Sequence, residues 1–533
     1  MKRSCWVDHG GNGRTAGEYH RADGVEVEVS TGGEAVAYSP ATQGLGAGDS
    51  SRRWIALVVL CVGQLMIVLD ATVVNVALPS IQKDLHFTTS SLAWVINAYL
   101  ITFGGLLLLA GRVGDLVGPK KVFMTGVGLF TVASIFCGLA QTQVELIAAR
   151  FVQGAGAAVV AATILGILVT IFTGPREKAR AMGVYAFVAS AGGAIGLLVG
   201  GALTQALSWH WIFFINVPIG IVTLVLGSFL IHERPGRGIR NGVDVLGAVL
   251  VTASAMLLVY AIVEASTYGW LTVRTIGTGA LALVLLGIFV LLESRLDNPI
   301  VPLRMFRSRN TTGATVVRLL FPIGMFGNFF IGALYFQHIL GYSPVATGLA
   351  FLPMNLLIAL FSLFLTARVM NRIGARNTMI PGLGLVFCAL MVFVFLPVHA
   401  SYLADVLPGM VLFGAGAGLA FSPSVALAMH DAAPADTGLA SGLANTSIQL
   451  GAAIGVALLA SVSETRTRSL LAAGGHPDES LVSGYHLAYL IAAGCIAVAT
   501  VFAVVIFRDR TIGRTLTTEE QATVSMLEPE IGL

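Results

Sequence analysis

The chain has 533 residues, of which 56% are hydrophobic and only 11% are charged. A soluble protein carries roughly 25% charged residues, so the composition excludes a soluble globular protein. The mean hydropathy of +0.84 agrees with this, and the length allows about a dozen or more helices of ~20 residues that cross a bilayer. The net charge of +3 says little, because the placement of Lys and Arg matters more than their sum. We therefore expect an all-α polytopic membrane protein.

The N-terminal segment 1–50 is polar and rich in glycine, and it lacks the apolar stretch of a signal peptide. We interpret it as a disordered cytoplasmic tail. From Trp54 onward we count fourteen apolar runs, for which helix is the expected state because lipid cannot satisfy an open strand edge. The predicted spans are 54–78, 92–111, 121–140, 144–172, 181–205, 211–231, 243–263, 275–292, 312–338, 346–367, 378–398, 402–429, 438–462 and 484–507.

The distribution of basic residues predicts the orientation of these spans. With a cytoplasmic N-terminus, 21 Lys and Arg residues fall in inner segments and only 4 fall in outer loops. Because basic residues favour the cytoplasmic side, both termini are predicted to be cytoplasmic and the number of spans to be even.

Similar basic loops follow spans 2 and 10, which indicates two related six-helix halves around a central cavity if spans 7 and 8 are an insertion. The expected organisation is a tail at 1–50, a six-helix bundle at 51–232, two inserted helices with linkers at 233–311, a second six-helix bundle at 312–510 and a tail at 511–533.

Asp70 and Arg150 are the charged residues that the apolar spans make most conspicuous. Asp70, the only formal charge between Arg53 and Lys83, lies about 24 Å along span 1. A carboxylate at that depth is costly and usually functional, and proton binding is its simplest use. Arg150 in span 4 needs an acid or a wet cavity. Asp70 and Glu145 are the candidate partners, and snorkelling to the outer interface is the alternative.

Other polar residues in the spans are candidates for proton coupling or for the substrate cavity. Arg318 either pairs with an acid across the cavity or lies near the inner interface, and the amides of span 13 either line the cavity or join helices. These further candidates are Asn75, Gln153, Asn216, Arg318, Asn445 and Gln449.

Two glycine-containing segments complete the candidate sites. The loop between spans 2 and 3 allows a tight turn, and Asp115 among basic residues can form an ion-pair network that holds one conformation; a topology signal with a turn is the alternative. The residues of this candidate inner gate are Gly111, Arg112, Asp115, Gly118, Lys120 and Lys121.

Small residues at every fourth position of span 5 predict a helix-packing face. Its glycines are Gly192, Gly196, Gly200 and Gly201.

The sequence lacks the Walker A pattern GxxxxGK[ST], HExxH and GxSxG, so we expect neither ATP hydrolysis nor an enzyme of these types. Four of the five cysteines lie inside apolar runs and none forms a CxxC pair, which indicates packing residues rather than a metal site. We expect no metal and no cofactor.

Together these stretches resemble the major facilitator superfamily, and in particular its fourteen-helix drug:proton antiporter branch of the EmrB/QacA type. The resemblance covers about residues 52–510. The span 1 signature LDxTxVNVALP matches from Leu69 to Pro79, and the span 4 signature matches from Leu146 to Ala158. By this resemblance Arg150 takes part in proton coupling.

The chain departs from the family pattern at three places. The loop signature matches from Gly111 to Lys121 but has Leu116 where the family usually has Arg. The span 5 signature GPxxGG has Leu197 in place of its proline, which weakens the expectation of strict antiport. The span 6 signature has His210 where Arg is usual.

The resemblance implies a major facilitator fold and a proton-coupled exporter of small amphipathic substrates such as drugs or antibiotics. A proton symporter that imports a small metabolite on the same fold is the first alternative, and a membrane-embedded sensor or enzyme is the second. We expect multi-pass insertion in the plasma membrane, function as a monomer driven by the proton gradient, and no nucleic-acid partner. The expected mechanism is alternating access, with Asp70 as the proton carrier.

Overall fold

The computed structural model describes residues 47–172, 174–231, 233, 244–296, 299–431 and 437–507, and three short strands nearer the N-terminus. The strands β1 (Tyr19–Ala22), β2 (Val25–Val29) and β3 (Ala35–Ala37) form an antiparallel sheet in the order β1-β2-β3. They belong to a unit that ends at Ile55, whereas Ala56–Leu533 forms a second unit. The rest of segment 1–46 lies outside the described residues, and the disordered tail expected at 1–50 stays a prediction.

Helices make up nearly all of the remaining described chain. In order they are α1 (Ala47–Asp84), α2 (Thr89–Val117), α3 (Pro119–Leu139), α4 (Gln143–Ile171), α5 (Pro175–Ala206), α6 (Trp211–Phe214), α7 (Asn216–Leu230), α8 (Val245–Tyr268), α9 (Val273–Glu293), α10 (Arg309–Leu334), α11 (Pro344–Leu360), α12 (Thr366–Val394), α13 (Leu407–Met429), α14 (Thr437–Ala472) and α15 (Pro477–Ile506). A 3₁₀ turn covers Leu303–Arg307, and single π turns cover Tyr335–Ile339, Phe361–Leu365 and Tyr402–Val406.

Twelve helical segments among the described residues are long and apolar enough to cross a membrane. The expectation of a helical, multi-pass membrane protein is therefore confirmed. The predicted spans 346–367 and 378–398 correspond to the single continuous segment Pro344–Val394, apart from the last four residues of the second span. The predicted span 181–205 lies in α5, whose apolar part is Ala191–Ala206. The count of fourteen spans stays a prediction.

Two glycines in left-handed backbone conformations mark the loops that the sequence indicates as related. Gly118 joins α2 to α3 with φ 121°, and Gly374 bends α12 with φ 84°. Both lie six positions after an arginine, Arg112 and Arg368 respectively. Residues with a Cβ rarely adopt this φ, so glycine is required for each turn. The shared conformation supports the two-fold repeat of the chain.

The helices before α8 and those after α9 meet along two interfaces. The first lies between α2 and α14, and the second lies between α5 and α11. Helix α8 packs against α9 and also against α2 and α14. Much of α9 remains exposed and apolar, for example at Leu283, Val284 and Ile288, which suits a helix that faces lipid.

Candidate functional site

The centre of the candidate site is an ion pair between Asp70 of α1 and Arg150 of α4. Arg150 Nη1 donates to Asp70 Oδ2; Arg150 is 1% exposed and Asp70 is 0% exposed. Arg150 Nε also donates to the carbonyl of Val95 on α2, with an N–O distance of 2.9 Å. Burying a lone charge is costly, so each member of this pair stabilises the other in the apolar bundle.

Two amide side chains complete the shell around the Asp70 carboxylate. Gln153 Nε2 donates to Asp70 Oδ1 at 2.7 Å, and Asn216 Nδ2 of α7 donates to the same oxygen at 3.0 Å. Gln153 also donates to Ser134 Oγ of α3 at 2.8 Å and accepts from Arg150 Nη1 at 2.7 Å. Both carboxylate oxygens are thus held by donors from two other helices, which fixes the orientation of the Asp70 side chain.

The aromatic surroundings of Arg150 are not indicated by the sequence motifs. The guanidinium carbon lies 4.3 Å from the ring centre of Tyr99 and 5.7 Å from that of Phe213, within the range of a cation–π contact. The Tyr99 hydroxyl is buried without a hydrogen-bond partner. Tyr99 and Ser134 are polar residues within the apolar sequences of α2 and α3. Their polarity is the only feature of the sequence that could have indicated a place in this site.

The structure decides between the candidate partners of Arg150. Glu145 does not reach it, because its carboxylate accepts from the backbone of Thr142 and Gln141 and caps the start of α4. Asn75 does not join the cluster either: it donates to the carbonyl of Ala71 in its own helix at 2.9 Å. Of the predicted residues, Asp70, Arg150, Gln153 and Asn216 therefore meet at one point.

Arg318 of α10 is buried in a different place and has no acidic partner among the described residues. It is 3% exposed, donates from Nη1 to Ser424 Oγ at 2.9 Å and donates from Nε to the carbonyl of Ala444 at 3.1 Å. The ring of Phe421 lies 5.7 Å from its guanidinium carbon. The predicted ion pair across the cavity is therefore not found in this conformation, and Arg318 joins α10 to α13 and α14 instead.

The two amides of α14 differ in exposure. Asn445 is exposed, whereas Gln449 is half-buried beside Gly104 of α2. The neighbouring Thr446 donates to the carbonyl of Gly104 at 3.0 Å. The contact with α2 is therefore made by Thr446 and Gln449, while the Asn445 side chain is exposed.

The lysines of the loop between α2 and α3 bind outside that loop. Lys120 Nζ donates to the carbonyl of Ser228 at 2.8 Å, and Lys121 Nζ lies 2.7 Å from Glu233 Oε1. The hydrogen bond from Lys121 lowers the pKa of the exposed Glu233 carboxyl. Both lysines thus connect the start of α3 to the end of α7.

The predicted ion-pair network within the loop is not formed in this conformation. Across the described residues, no ion pair joins Asp115 to Arg112, Lys120 or Lys121, and Asp115 is exposed. Gly111 lies at ordinary contact distance from Ala162 of α4. The reason is geometric: the lysines turn toward α7, away from the end of α2.

The glycine stripe of α5 packs closely on α1. A Cβ at Gly200 would lie 2.8 Å from the Cα of Val73, and one at Gly196 would collide with Thr72. Gly192 faces the same helix. Because these contacts involve α1 near Asp70, the stripe sets the approach of α5 to the helix that carries the acid.

The other face of α5 forms the interface with α11. A Cβ at Gly201 would lie 2.6 Å from the carbonyl oxygen of Pro344, and one at Gly348 would lie 2.6 Å from that of Leu197. Leu197 is fully buried. The leucine that replaces the family proline therefore lies inside the contact between α5 and α11.

Among the described residues, three hydrogen bonds connect helices before α8 to segments after α9 at the end of the bundle that the sequence predicts to be outer. Glu464 Oε2 of α14 accepts from the Ser90 amide of α2 at 2.6 Å. Gln337 Nε2 donates to the Val76 carbonyl at 2.8 Å. The amide of Val345 donates to the side chain of Gln205 at 3.3 Å.

A helical membrane bundle with a charged pair at its centre has the architecture of a secondary transporter. The sequence model of the Major Facilitator Superfamily matches residues 60–456. The chain therefore belongs to this family, whose members are transporters and not enzymes.

Relatives with similar sequences span nearly the whole chain. The puromycin resistance protein pur8 of Streptomyces alboniger is 39% identical over 475 residues, which cover 87% of this chain and 93% of that protein. The cephamycin export protein CmcT of Amycolatopsis lactamdurans is 36% identical over 461 residues, with coverages of 84% and 92%. The lincomycin resistance protein of Streptomyces lincolnensis is 36% identical over 419 residues, with coverages of 78% and 85%.

Solved structures support the fold. A variant of the nucleoside transporter NupG has a TM-score of 0.60 at 14% identity, covering 85% of this chain and 100% of its own. A bacterial homolog of the human lysosomal transporter Spinster, in an inward-facing and occupied conformation, has a TM-score of 0.61 at 15% identity, with coverages of 87% and 99%. At these identities the similarity concerns the fold alone.

Proposed function

We propose that this protein is a proton-coupled efflux transporter for amphipathic small molecules, antibiotics among them. The relatives named for puromycin resistance, lincomycin resistance and cephamycin export support the substrate class. The observation that carries the coupling is the Asp70 carboxylate, fully buried and held by Arg150, Gln153 and Asn216. Movement of Arg150 away from Asp70 would remove the charge partner of the carboxylate, which links proton binding at Asp70 to a movement of the helices.

The mechanism we propose is alternating access. The three hydrogen bonds at the predicted outer end hold the halves together there, while Asp115 has no partner in the inner loop. This combination corresponds to an inward-facing state. In the outward-facing state, Asp115 and Arg112 would close the inner rim, and Asp70 would receive a proton from outside.

The substrate cavity of this proposal lies between the halves. Arg318 of α10 donates to the carbonyl of Ala444, the residue before Asn445 on α14, and Phe421 supplies an aromatic face. Gln449 and Asn75 are assigned to the same cavity. Substrate and proton then compete, because entry of one changes the helix contacts that hold the other.

The proposal includes the topology on which the direction of transport depends. Fourteen spans result if Pro344–Val394 contains two spans and α5 contains one. Both termini are cytoplasmic, the protein acts as a monomer in the plasma membrane, and α8 and α9 are an insertion between two six-helix bundles.

The decisive experiment measures substrate-dependent proton movement in everted vesicles with a pH-sensitive dye. Wild type should dissipate the proton gradient when a transported compound is added, and Asp70→Asn should not, at equal expression. Glu145→Gln is the matched control, because this acid caps α4 without contacting Arg150. Equal proton movement in wild type and Asp70→Asn, with transport shown independently, would refute the role of Asp70.

The same preparation distinguishes export from import. A symporter would move substrate and protons in the same direction, so substrate would accumulate only under the opposite gradient. The specific observation that favours this second function is Leu197 at the position of the antiporter proline.

A further inference from the structure

Two acidic residues lie close together at one end of the helix pair α8 and α9, far along the chain from Asp70. Asp244 caps the start of α8, and Glu293 ends α9. Glu293 is only 2% exposed, and the two carboxyl groups lie against the same residue of α8, Gly247. Neither acid belongs to a sequence motif, and the proposed transport mechanism uses neither of them.

Each carboxyl group has one oxygen bound by the backbone and one without a donor. Asp244 Oδ1 accepts from the Gly247 amide at 2.8 Å, and Glu293 Oε2 accepts from the Val301 amide at 3.0 Å. Asp244 Oδ2 and Glu293 Oε1 are buried with no hydrogen-bond partner. The two free oxygens therefore belong to different acids, one on each helix.

The free oxygens meet over the same glycine. A Cβ on Gly247 would lie 2.9 Å from Glu293 Oε1 and would collide with Asp244 Oδ2. The missing side chain of Gly247 thus makes room for both carboxyl groups. Two charged carboxylates at such a distance would repel each other, whereas one shared proton would satisfy both free oxygens.

We propose that Asp244 and Glu293 form a proton-binding site in which one proton is held between Asp244 Oδ2 and Glu293 Oε1. The protonated acid donates to the other acid, and the backbone amides of Gly247 and Val301 stabilise the remaining negative charge. The site joins the start of α8 to the end of α9 and to the segment that leads into α10.

Among the described residues, no basic side chain forms an ion pair with either carboxyl group of this site. No ion pair in that part of the chain reaches Asp244 or Glu293. The charged groups on neighbouring segments are Arg295, Arg304 and Arg307 before α10, and Arg112 and Asp115 at the end of α2. The part of α14 that is level with this end of α8 has no charged side chain between 439 and 463.

A divalent cation is the other ligand that two carboxylates attract. Calcium takes six to eight oxygen ligands and magnesium takes six. Here each acid offers only one free oxygen, and no group of three or more His, Cys, Asp or Glu residues able to hold a metal occurs in the described residues. The geometry therefore favours the proton.

The test uses the purified full-length protein in lipid nanodiscs, and it requires no transport. Infrared difference spectra and thermal unfolding are recorded while pH rises from about 6 to about 9, the range in which buried carboxyl groups titrate. In wild type, a protonated-acid band should disappear as pH rises, and Tm should fall by several degrees because both carboxyl groups become charged. In Glu293→Gln and in Asp244→Asn, the band should be absent and Tm should stay constant over this range.

The matched control is Glu264→Gln in the same inserted pair, since Glu264 is paired with Arg274 at 3.0 Å. It should keep the wild-type band and pH profile. An Asp70→Asn background should keep them as well, which separates this site from the proposed transport carboxyl. An unchanged band in both Glu293→Gln and Asp244→Asn overturns the proposal. So does a wild-type Tm that rises on addition of Mg²⁺ or Ca²⁺ at high pH, without a protonated-acid band.

Discussion

The guanidinium of Arg150 and the carboxylate of Asp70 are 80 positions apart in the chain, yet each is the other's charge partner inside the bundle. Removing one member of a buried pair typically costs about 3–5 kcal/mol, because the other charge is left uncompensated. The pair therefore links the stability of the bundle to the proposed proton-binding site.

We first predict that stability and coupling at this pair can be separated. Asp70→Asn should lower the free energy of unfolding by about 3–5 kcal/mol and abolish proton coupling. The double variant Asp70→Asn/Arg150→Gln should recover part of the stability, since neither charge remains, without recovering coupling. Thermal unfolding and the vesicle assay measure the two effects, and a double variant that restores proton movement would contradict the assignment.

A second prediction concerns the contact between α5 and α1. Gly200→Ala places a methyl group 2.8 Å from the Val73 backbone, so we expect a loss of about 1–3 kcal/mol from overpacking and slower transport. Gly183→Ala on the same helix is the control, because nothing lies within 4 Å of its Cβ position. Equal Tm values for the two variants would show that the glycine stripe does not set this contact.

The third prediction follows from the left-handed turns. Gly118→Ala and Gly374→Ala should each cost about 1–2 kcal/mol, because a Cβ strains a residue at positive φ. Gly111→Ala meets only the Ala162 methyl at 3.9 Å and should leave the Tm nearly unchanged. The Tm of the purified variants provides the comparison, and a Gly118→Ala protein as stable as Gly111→Ala would argue against the required turn.

The fourth prediction concerns the hydrogen bond between Glu464 and Ser90. Glu464→Ala removes the acceptor and the ion-pair partner of Arg468, so the predicted outer end should open more often. A cysteine at the fully buried Ala93, one turn beyond Ser90, should then react several-fold faster with an impermeant maleimide.

The control for this measurement is Glu479→Ala, which removes an exposed acid from the start of α15. It should leave the labelling rate of the cysteine at Ala93 unchanged. If Glu464→Ala also leaves the rate unchanged, the Glu464 contact does not keep the halves closed at that end.

The sequence by itself determined the class of protein and the two charges at its centre. Membrane-spanning segments can be predicted one at a time, because lipid penalises every unpaired polar group regardless of the remaining fold. Asp70 and Arg150 therefore stood out within their own spans. The signatures around them, with the departures at Leu116 and Leu197, were sufficient to indicate the family.

The tertiary structure decided which groups meet. A helical position turns by about 100° per residue, so the partner of a side chain depends on how each helix is rotated and placed against its neighbours. This geometry pairs Arg150 with Asp70 and leaves Glu145 as a cap. It also directs Lys121 to Glu233 rather than to Asp115.

The same reason explains what the sequence did not reveal. Asp244 and Glu293 are 49 positions apart, one at the first turn of the predicted span 243–263 and the other directly after the predicted span 275–292, so neither stands out as a charge deep within an apolar run. Their free oxygens meet only because α8 and α9 pack antiparallel with Gly247 between the acids. Segment hydropathy determined that these helices exist, and the packing of one helix on the other decided that their acids share a site.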